Sequence, residues 1–517
     1  MESTRILWAD DEIDLLKPHI IFLEKKGYRI DTATNGRDAL DMIQENHYEL
    51  VFLDENMPGL TGLDTLVQIK KINRNIPVVM VTKSEEERIM EEAIGSQIAD
   101  YLIKPVNPNQ LLLSIKKLTE QRKLINEKTA TDYQAEFRQL AIDMSMAATI
   151  EDWVKIYKDL VRWDLSLDHV ENSTYRDLLE TQKKEANSLF FKFISKNYQP
   201  WLKGSEAAPT LSPQLFPREL FPFLKAGKKV FTIVIDNLRY DQWKVIESEL
   251  AQLFVVESEK IFCSILPTAT QYARNAMFAG LMPAEIKRRY PDKWFDDDEE
   301  ETKNQFEEFF LEENLKRYGL GHIKWSYAKI SQLTFARKFV ENLKTLVDND
   351  LNVVVYNFVD ILSHAKTEMD VIKELADNDK AYRSLTRTWF IHSPLFEILR
   401  FCADRKLPVL LTTDHGTINV QNPIKIVGER ELTTNLRYKA GRNMSYNPKE
   451  VFEVKNPDDY HLPRMGVNTH YVFAGKDDFF AYPNNYNHYV RYYRNTYQHG
   501  GISLEEMLIP VAYLLPR

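Results

Sequence analysis

ELVFLDENMPG, residues 49–59, decides how the N-terminal part of this chain is read. Its first half is an apolar run ending on Asp54; Asn56, Pro58 and Gly59 then break the chain, as at the end of a buried strand. Working outward, the same pattern recurs in RILWAD, YRIDTAT, PVVMVTK and DYLIKP. Between these runs lie amphipathic stretches such as EIDLLKPHIIFLEKKG and GRDALDMIQENH. Five strands alternating with helices over residues 4–118 predict a parallel α/β sheet. Ligands of such sheets sit beyond the carboxyl ends of the strands, where polar residues collect here. Asp10 and Asp11 end the first strand, Asp54 the third, Thr82 the fourth and Lys104 the fifth. Three converging carboxylates require a hard cation such as Mg²⁺. One carboxylate as nucleophile beside a metal and an ammonium makes a site for accepting a phosphoryl group. A lone acid at a strand end is usually a turn former; five such groups together are not.

Downstream the pattern changes. Residues 119–203 hold no glycine and one proline, Pro200, with sustained helical periodicity, which predicts a helical bundle spacing two larger units. KGSEAAPTLSPQLFPRELFP gathers Gly, Ser and Pro and reads as an interdomain linker over residues 204–224. From 225 to 517 α/β character returns in VFTIVID, IFCSILPT, NVVVYNFVD, LPVLLTTD, HYVFAG and MLIPVAYLL. The six acids from Asp296 to Glu301 read as a solvated loop or helix start.

The second α/β region carries its own set of strand-end residues: Asp236, Thr268 and Thr270 after Pro267, Asp360 with His364 four residues on, Asp414-His415, and His499. Carboxylates and imidazoles without thiolates suit Zn²⁺, with Mn²⁺ or Fe open on ligand type. Three Asp and three His make two sets of three, and a metal pair can activate a nucleophile while stabilising the leaving group.

Composition bounds the function. The chain has 517 residues, a length for roughly three domains. A net charge of −9 disfavours nucleic-acid backbones and anionic membranes as partners of the whole surface. No apolar run reaches the length of a membrane span, and the acidic N-terminus MESTRILWADDE does not read as a signal peptide. Two cysteines, Cys263 and Cys402, predict a reducing, cytoplasmic setting without a disulfide framework.

On the motifs quoted, residues 1–118 resemble a response-regulator receiver domain, which has a flavodoxin-like fold. The resemblance implies that Asp54 is the phosphoacceptor, that Asp11, Asp54 and the Asn56 carbonyl bind Mg²⁺ with Asp10 acting mainly through water, and that Lys104–Pro105 is cis. It also implies a switch made of Thr82, Lys104 and the mobile aromatic Tyr101. The residue after the switch threonine is usually small in this family; here it is Lys83, which bears on the lifetime of the phosphate. Residues 225–517 resemble the PglZ-type branch of the alkaline phosphatase superfamily, at VIDN, PTAT (267–270), VDILSH, TTDHG (412–416) and HGGISLEEMLIP (499–510). That resemblance implies two Zn²⁺, one held by Asp360, His364 and His499, the other by Asp236, Asp414 and His415, with Thr270 as the nucleophile on the second. The pattern P-T-x-T favours Thr270 over its competitor Thr268. Phosphodiesterase members often place Asn three residues after the nucleophile; Ala273 stands there, leaving Arg274 and Asn275 as candidates to bind the phosphoryl oxygen.

Taken together, the order of parts resembles response regulators of the PorX type, associated with type IX secretion. It implies a PorY-like sensor histidine kinase, a sigma factor or secretion-system component as further partner, and a homodimer on phosphorylation. The expected activity is zinc-dependent hydrolysis of nucleotide or oligonucleotide phosphodiesters. The alternative is a zinc-stabilised output module that contacts a transcription factor without catalysis. A DNA-binding output is disfavoured, because no helix-turn-helix pattern follows residue 119.

Overall fold

The computed structural model describes residues 4–73, 76–82, 98–168, 173–295, 304–357, 359, 362, 367, 376, 378–428, 433 and 435–517, with only the backbone for 120–127 and 130. Lys83, the acidic run Asp296–Glu301, and the zinc-ligand candidates Asp360 and His364 lie outside the described residues. The chain divides into two compact units, residues 1–132 and 133–517. The division falls within one long helix, Pro108–Met146.

In the first unit, β1 (Arg5–Ala9), β2 (Arg29–Ala33), β3 (Leu50–Asp54), β4 (Val78–Thr82) and β5 (Asp100–Ile103) form an all-parallel sheet in the order β2-β1-β3-β4-β5. Alternate residues of the central strands feed two cores. Leu7, Val51, Leu53 and Met80 pack on one face, and Ile6, Trp8, Phe52 and Val81 on the other. Helices start where a side chain can accept an orphan N–H: Asn35 accepts from Asp38, and Thr61 from Asp64. Order reverses between β1 and β3, so the crevice lies above the ends that carry Asp10 and Asp54.

The second unit is built on a six-stranded mixed sheet. Its strands β6 (Val230–Ile235), β7 (Phe254–Cys263), β8 (Trp325–Ile330), β9 (Leu351–Tyr356), β10 (Val409–Thr412) and the C-terminal Leu508–Pro516 run in the order β7, C-terminal strand, β10, β6, β9, β8. β10, β6, β9 and β8 are parallel, whereas the C-terminal strand pairs antiparallel with β10 and β7. Strand β8 (WSYAKI) has no continuous apolar run, since it is a half-buried edge. HYVFAG lies outside this sheet: His470–Ala474 is the centre of a separate three-stranded sheet with Tyr438–Gly441 and Val451–Val454.

Helix Ile150–Leu167 opens with a capping box of Thr149 and Asp152. It buries Trp153, Ile156, Tyr157, Leu160 and Val161 at helical spacing. Helix Ser173–Leu202 buries Leu179, Ala186, Phe190, Ile194 and Tyr198. These side chains belong to the same continuous core as the sheet, so this stretch packs as a layer of the second unit. Polar ties reinforce the layer. Arg383 is paired with Asp164 at 2.9 Å, Asp168 at 3.0 Å and Asp241 at 3.1 Å, and Lys183 with Asp379 at 2.8 Å. The expected linker is corrected as well. Within 204–224, Leu211, Leu215, Phe216, Leu220, Phe221 and Leu224 are buried, and the Cys263 N–H donates to the Thr210 carbonyl at 2.9 Å. Pro213, Pro217 and Pro222 open short helical turns whose apolar residues join the core of the sheet. Cys263 and Cys402 are buried free thiols.

Glu259, on β7, binds the helical layer to the sheet edge. It accepts from Lys158 at 2.9 Å, Tyr240 at 2.8 Å, Trp243 at 3.0 Å and Lys244 at 3.1 Å. Burial works to raise its carboxyl, but these donors outweigh it and hold the group down to about 2. A depressed carboxylate stabilises the fold above its unfolded value near 4.3, and the benefit fades as pH falls through the folded value. Glu259→Gln is therefore expected to cost about 2–3 kcal/mol at neutral pH, the gap to the parent closing between about pH 4 and pH 2 in denaturant titrations.

Candidate metal centres

At the carboxyl edge of the first sheet, Asp10 and Asp54 are buried and Asp11 is exposed. Their oxygens lie within 4.8 Å of one another. Lys104 spans the two buried acids, at 2.9 Å from Asp10 and 2.8 Å from Asp54. Backbone pairing sets this reach: the Lys104 N–H donates to the Thr82 carbonyl at 2.7 Å, and the Lys104–Pro105 peptide is cis. Burial pushes the Asp54 carboxyl up, the Lys104 hydrogen bond opposes this, and the Asp10 charge adds to it. Thr82 is buried beside them on β4, Tyr101 is half-buried on β5, and Asn56 is exposed in the loop after β3. Two acids on one ammonium leave net negative charge, which a divalent cation would neutralise.

In the second unit, Asp236 follows β6 and Asp414-His415 follow β10, the neighbouring parallel strand. All three are buried, and their ligand atoms lie within 4.8 Å of one another. Thr270 opens helix Thr270–Ala279, and its hydroxyl lies 3.1 Å from His415 Nε2. His415 Nδ1 is 3.1 Å from the Gly416 carbonyl. Because a carbonyl only accepts, Nδ1 carries the proton, and the Nε2 lone pair faces Thr270, the orientation a metal ligand needs. Two carboxylates, one imidazole lone pair and a hydroxyl, all oxygen or nitrogen donors, fit Zn²⁺.

His499 joins them through its ring, stacked on His415 with centroids 4.4 Å apart. The two imidazoles are held together by a short ribbon, in which Ile418–Asn419 pairs antiparallel with Tyr497–Gln498. Thr268 sits apart in function from Thr270. Its buried hydroxyl donates to the Gly501 carbonyl at 2.8 Å and accepts from the Gly500 N–H at 3.1 Å, clasping the PTAT loop to the HGG turn.

Arg274 lies inside the cluster. It is fully buried, 3.0 Å from Asp414, 3.3 Å from Glu307, and in contact with Asp236. Burial works against the Asp414 carboxylate, yet the Arg274 guanidinium, helped by the Asn237 N–H, holds that carboxyl below the usual range. Glu307 in turn accepts from Tyr327 and pairs with Lys329 at 3.3 Å. Asn275 is buried on the same helix.

Sequence reasoning did not single out Glu307, Arg437 or Glu506. Arg437 and Glu506 form a fully buried pair at 2.6 Å, and Glu506 also accepts from the Gly501 N–H at 2.9 Å and the Ser503 hydroxyl at 2.7 Å. The S-x-x-E spacing of Ser503 and Glu506 was the available signal. The turn demands glycine: a Cβ on Gly501 would lie 2.4 Å from the Ala474 carbonyl, and one on Gly416 2.1 Å from that of Glu505.

With this geometry in place, comparison with known proteins is specific. The BREX system PglZ alkaline phosphatase-like domain matches residues 215–514, more than half of the chain. The chain belongs to the PglZ alkaline phosphatase-like family. The PorX response regulator linker domain matches residues 123–202 and the response regulator receiver domain residues 6–116; the three in this order are the PorX-type architecture. Similar curated proteins include the transcriptional regulatory protein ResD of Bacillus subtilis, 33% identical over 144 residues, which are 27% of this chain and 60% of ResD. SrrA of Staphylococcus aureus is 27% identical over 153 residues, 29% of this chain and 63% of SrrA. The chain thus spans about 60% of the length of these relatives. Among solved structures, a receiver domain protein from Clostridium thermocellum is 31% identical, covering 23% of this chain and 98% of its own, TM-score 0.22. TrrA from Thermotoga maritima, in complex with Mg²⁺-BeF, is 33% identical, covering 22% and 98%, TM-score 0.21.

The clasp at Thr268 can be tested. Thr268→Val strips two buried backbone groups of their partner and is expected to cost about 2 kcal/mol in urea unfolding. Thr270→Val, at a half-buried helix start, is expected to stay within about 0.5 kcal/mol of the parent.

Proposed function

We propose that this chain is a response regulator phosphorylated on Asp54 whose PglZ domain is a zinc-dependent phosphodiesterase acting on nucleotide or oligonucleotide phosphoesters, in the control of type IX secretion. The observation that carries the enzymatic reading is the approach of the Thr270 hydroxyl to the oriented Nε2 of His415, 3.1 Å away, between two buried aspartates. Asp236, Asp414 and His415 would hold one zinc; His499 would serve the other with Asp360 and His364. When bound, zinc supplies a Lewis acid that lowers the hydroxyl pKa and balances phosphoryl charge.

The chain's own groups do the rest. Thr270 gives up its hydroxyl proton to solvent as Oγ1 attacks phosphorus, the P–O bond to the leaving alkoxide breaks and that oxygen takes a proton from water, and the phosphoester rests on Thr270 until water cleaves it and restores the hydroxyl. Thr270 stands at the first turn of its helix, where the positive end of the helix dipole favours an anion. Arg274, itself anchored by Glu307, keeps Asp236 and Asp414 aligned. The imidazole stack fixes the separation of the two ligand sets. Arg274 is spent on carboxylates, which leaves Asn275 or incoming backbone to meet the phosphoryl oxygen.

A second reading, a zinc-stabilised module that binds a transcription factor without catalysis, is favoured by the same arginine, since its guanidinium already neutralises two ligands. Metal analysis with turnover separates the readings. The protein should carry two zinc equivalents, and Thr270→Ala should lower hydrolysis of a phosphodiester at least about a thousandfold, on the order of 4 kcal/mol, with zinc retained. Zinc without turnover supports the binding module. An active Thr270→Ala beside an inactive Thr268→Ala reassigns the nucleophile.

For the receiver, a histidine kinase is the phosphodonor and the Asp54 phosphate drives dimerisation. Phosphate on Asp54 would replace its contact with Lys104 by a stronger one and draw in Thr82, with Tyr101 following. Light scattering should show a mass increase with beryllofluoride, absent in Asp54→Ala. An unchanged mass in the parent removes the dimer.

A further inference from the structure

Helix Tyr486–Tyr493 (YNHYVRYY) has two unlike faces. Tyr486, Val490 and Tyr493 pack onto a small apolar cluster with Ile418, Val420, Phe479 and Ala481. Away from that cluster and along its flank, His488, Tyr489, Arg491 and Tyr492 are exposed, Tyr489 and Tyr492 by 38% and 36%. Its rings are ordered: His488 is stacked with Tyr492 at 6.3 Å and 19°, and Tyr489 with Tyr493 at 6.2 Å and 11°. From Tyr482 to His499 there is no Asp or Glu, whereas Arg491 and Arg494 are both present, in a chain of net charge −9. Flat aromatic faces interleaved with arginines, cleared of acids, are what a single nucleic-acid strand recognises: bases stack and phosphates pair.

The position matters as much as the composition. After Tyr493 the chain makes one turn, enters the ribbon strand Tyr497–Gln498 and arrives at His499, which stacks on His415. From Tyr492 seven residues reach at most about 25 Å, and Tyr489 lies about 5 Å further along the helix, so both exposed rings are tethered within about 30 Å of His499. At about 3.4 Å per stacked nucleotide that reach corresponds to at most roughly nine nucleotides.

We infer that this helix is a base-stacking platform that selects single-stranded oligonucleotides, holding the strand by Tyr489, Tyr492 and Arg491 while a phosphodiester enters the Thr270 site. The inference rests on the phosphodiesterase reading, and its test keeps the two separable. Wild-type turnover of bis-p-nitrophenyl phosphate, which carries no base, tests the phosphodiesterase reading alone. The platform is tested by binding, with fluorescein-labelled oligo-adenylates of increasing length followed by anisotropy in the full-length Thr270→Ala protein, where the strand is not cut. Affinity should rise with length up to at most roughly nine nucleotides and then level. Adding Tyr489→Ala and Tyr492→Ala should weaken binding about tenfold or more, adding Phe at both positions should keep it within about twofold, and the distant control Tyr318→Ala should leave it unaltered. Should the alanine pair disturb folding in a thermal melt, Arg491→Glu gives the independent readout, weaker binding with a shallower salt dependence. Equal affinity in the alanine pair and its parent, equal loss in the alanine and phenylalanine pairs, or no binding of any length overturns the platform; in the last case the face is one for protein.

Discussion

Two carboxylates cannot be buried side by side without a cation between them, and this constraint is met the same way throughout the chain. In the first unit Lys104 spans Asp10 and Asp54; in the second Arg274 spans Asp236 and Asp414. In each case the acids end neighbouring parallel strands, so the sheet itself brings like charges together. The residual negative charge is what makes each place receptive to a divalent metal. Arginine suits the second site because its planar fork touches three acids at once and never loses its proton, whereas one lysine suffices for the more open first site.

The same need organises the join between the helical layer and the six-stranded sheet. Asp164 and Asp168 from one helix meet Arg383 and, through Lys183, Asp379; Arg239 completes the set at 2.8 Å from Asp379. The Tyr497 hydroxyl donates to that same Asp379 at 2.8 Å, two residues before His499. The helical layer is thus linked, through Lys183 and Asp379, to the strand that precedes a candidate ligand. Around the HGG turn, glycine is required because backbone carbonyls approach too closely for any Cβ, and the Arg437–Glu506 pair locks the turn from behind. A loop so constrained can hold an imidazole ring parallel to its neighbour.

Much of this was legible in the chain itself. Apolar runs ending on Asp10, Asp54, Asp236 and Asp414 marked both the strands and the edge where ligands collect, since parallel strands buried on two faces must be apolar until they emerge. The glycine-free stretch after residue 119 marked helices, because periodicity is local. What it could not mark was their allegiance. Leu211, Phe216 and Phe221 sit among prolines and read as a linker, but their side chains find a core supplied by β7 and the helix that follows Thr270. Strand β8 escaped notice for the converse reason: five of its six residues are only partly buried, so no apolar run announced it.

Residue types and strand ends therefore determined which chemistry is present: acids with an ammonium in one unit, acids with imidazoles and a hydroxyl in the other. Only the tertiary structure decided between equivalents. It turned Thr270 toward His415 and spent Thr268 on backbone, enclosed Arg274 among three carboxylates rather than exposing it, and paired Glu506 with Arg437, 69 positions apart in sequence. The reason is physical. Hydrophobic periodicity is written along one element at a time, whereas the partner of a buried charge is chosen by whichever distant element the packed core brings within reach.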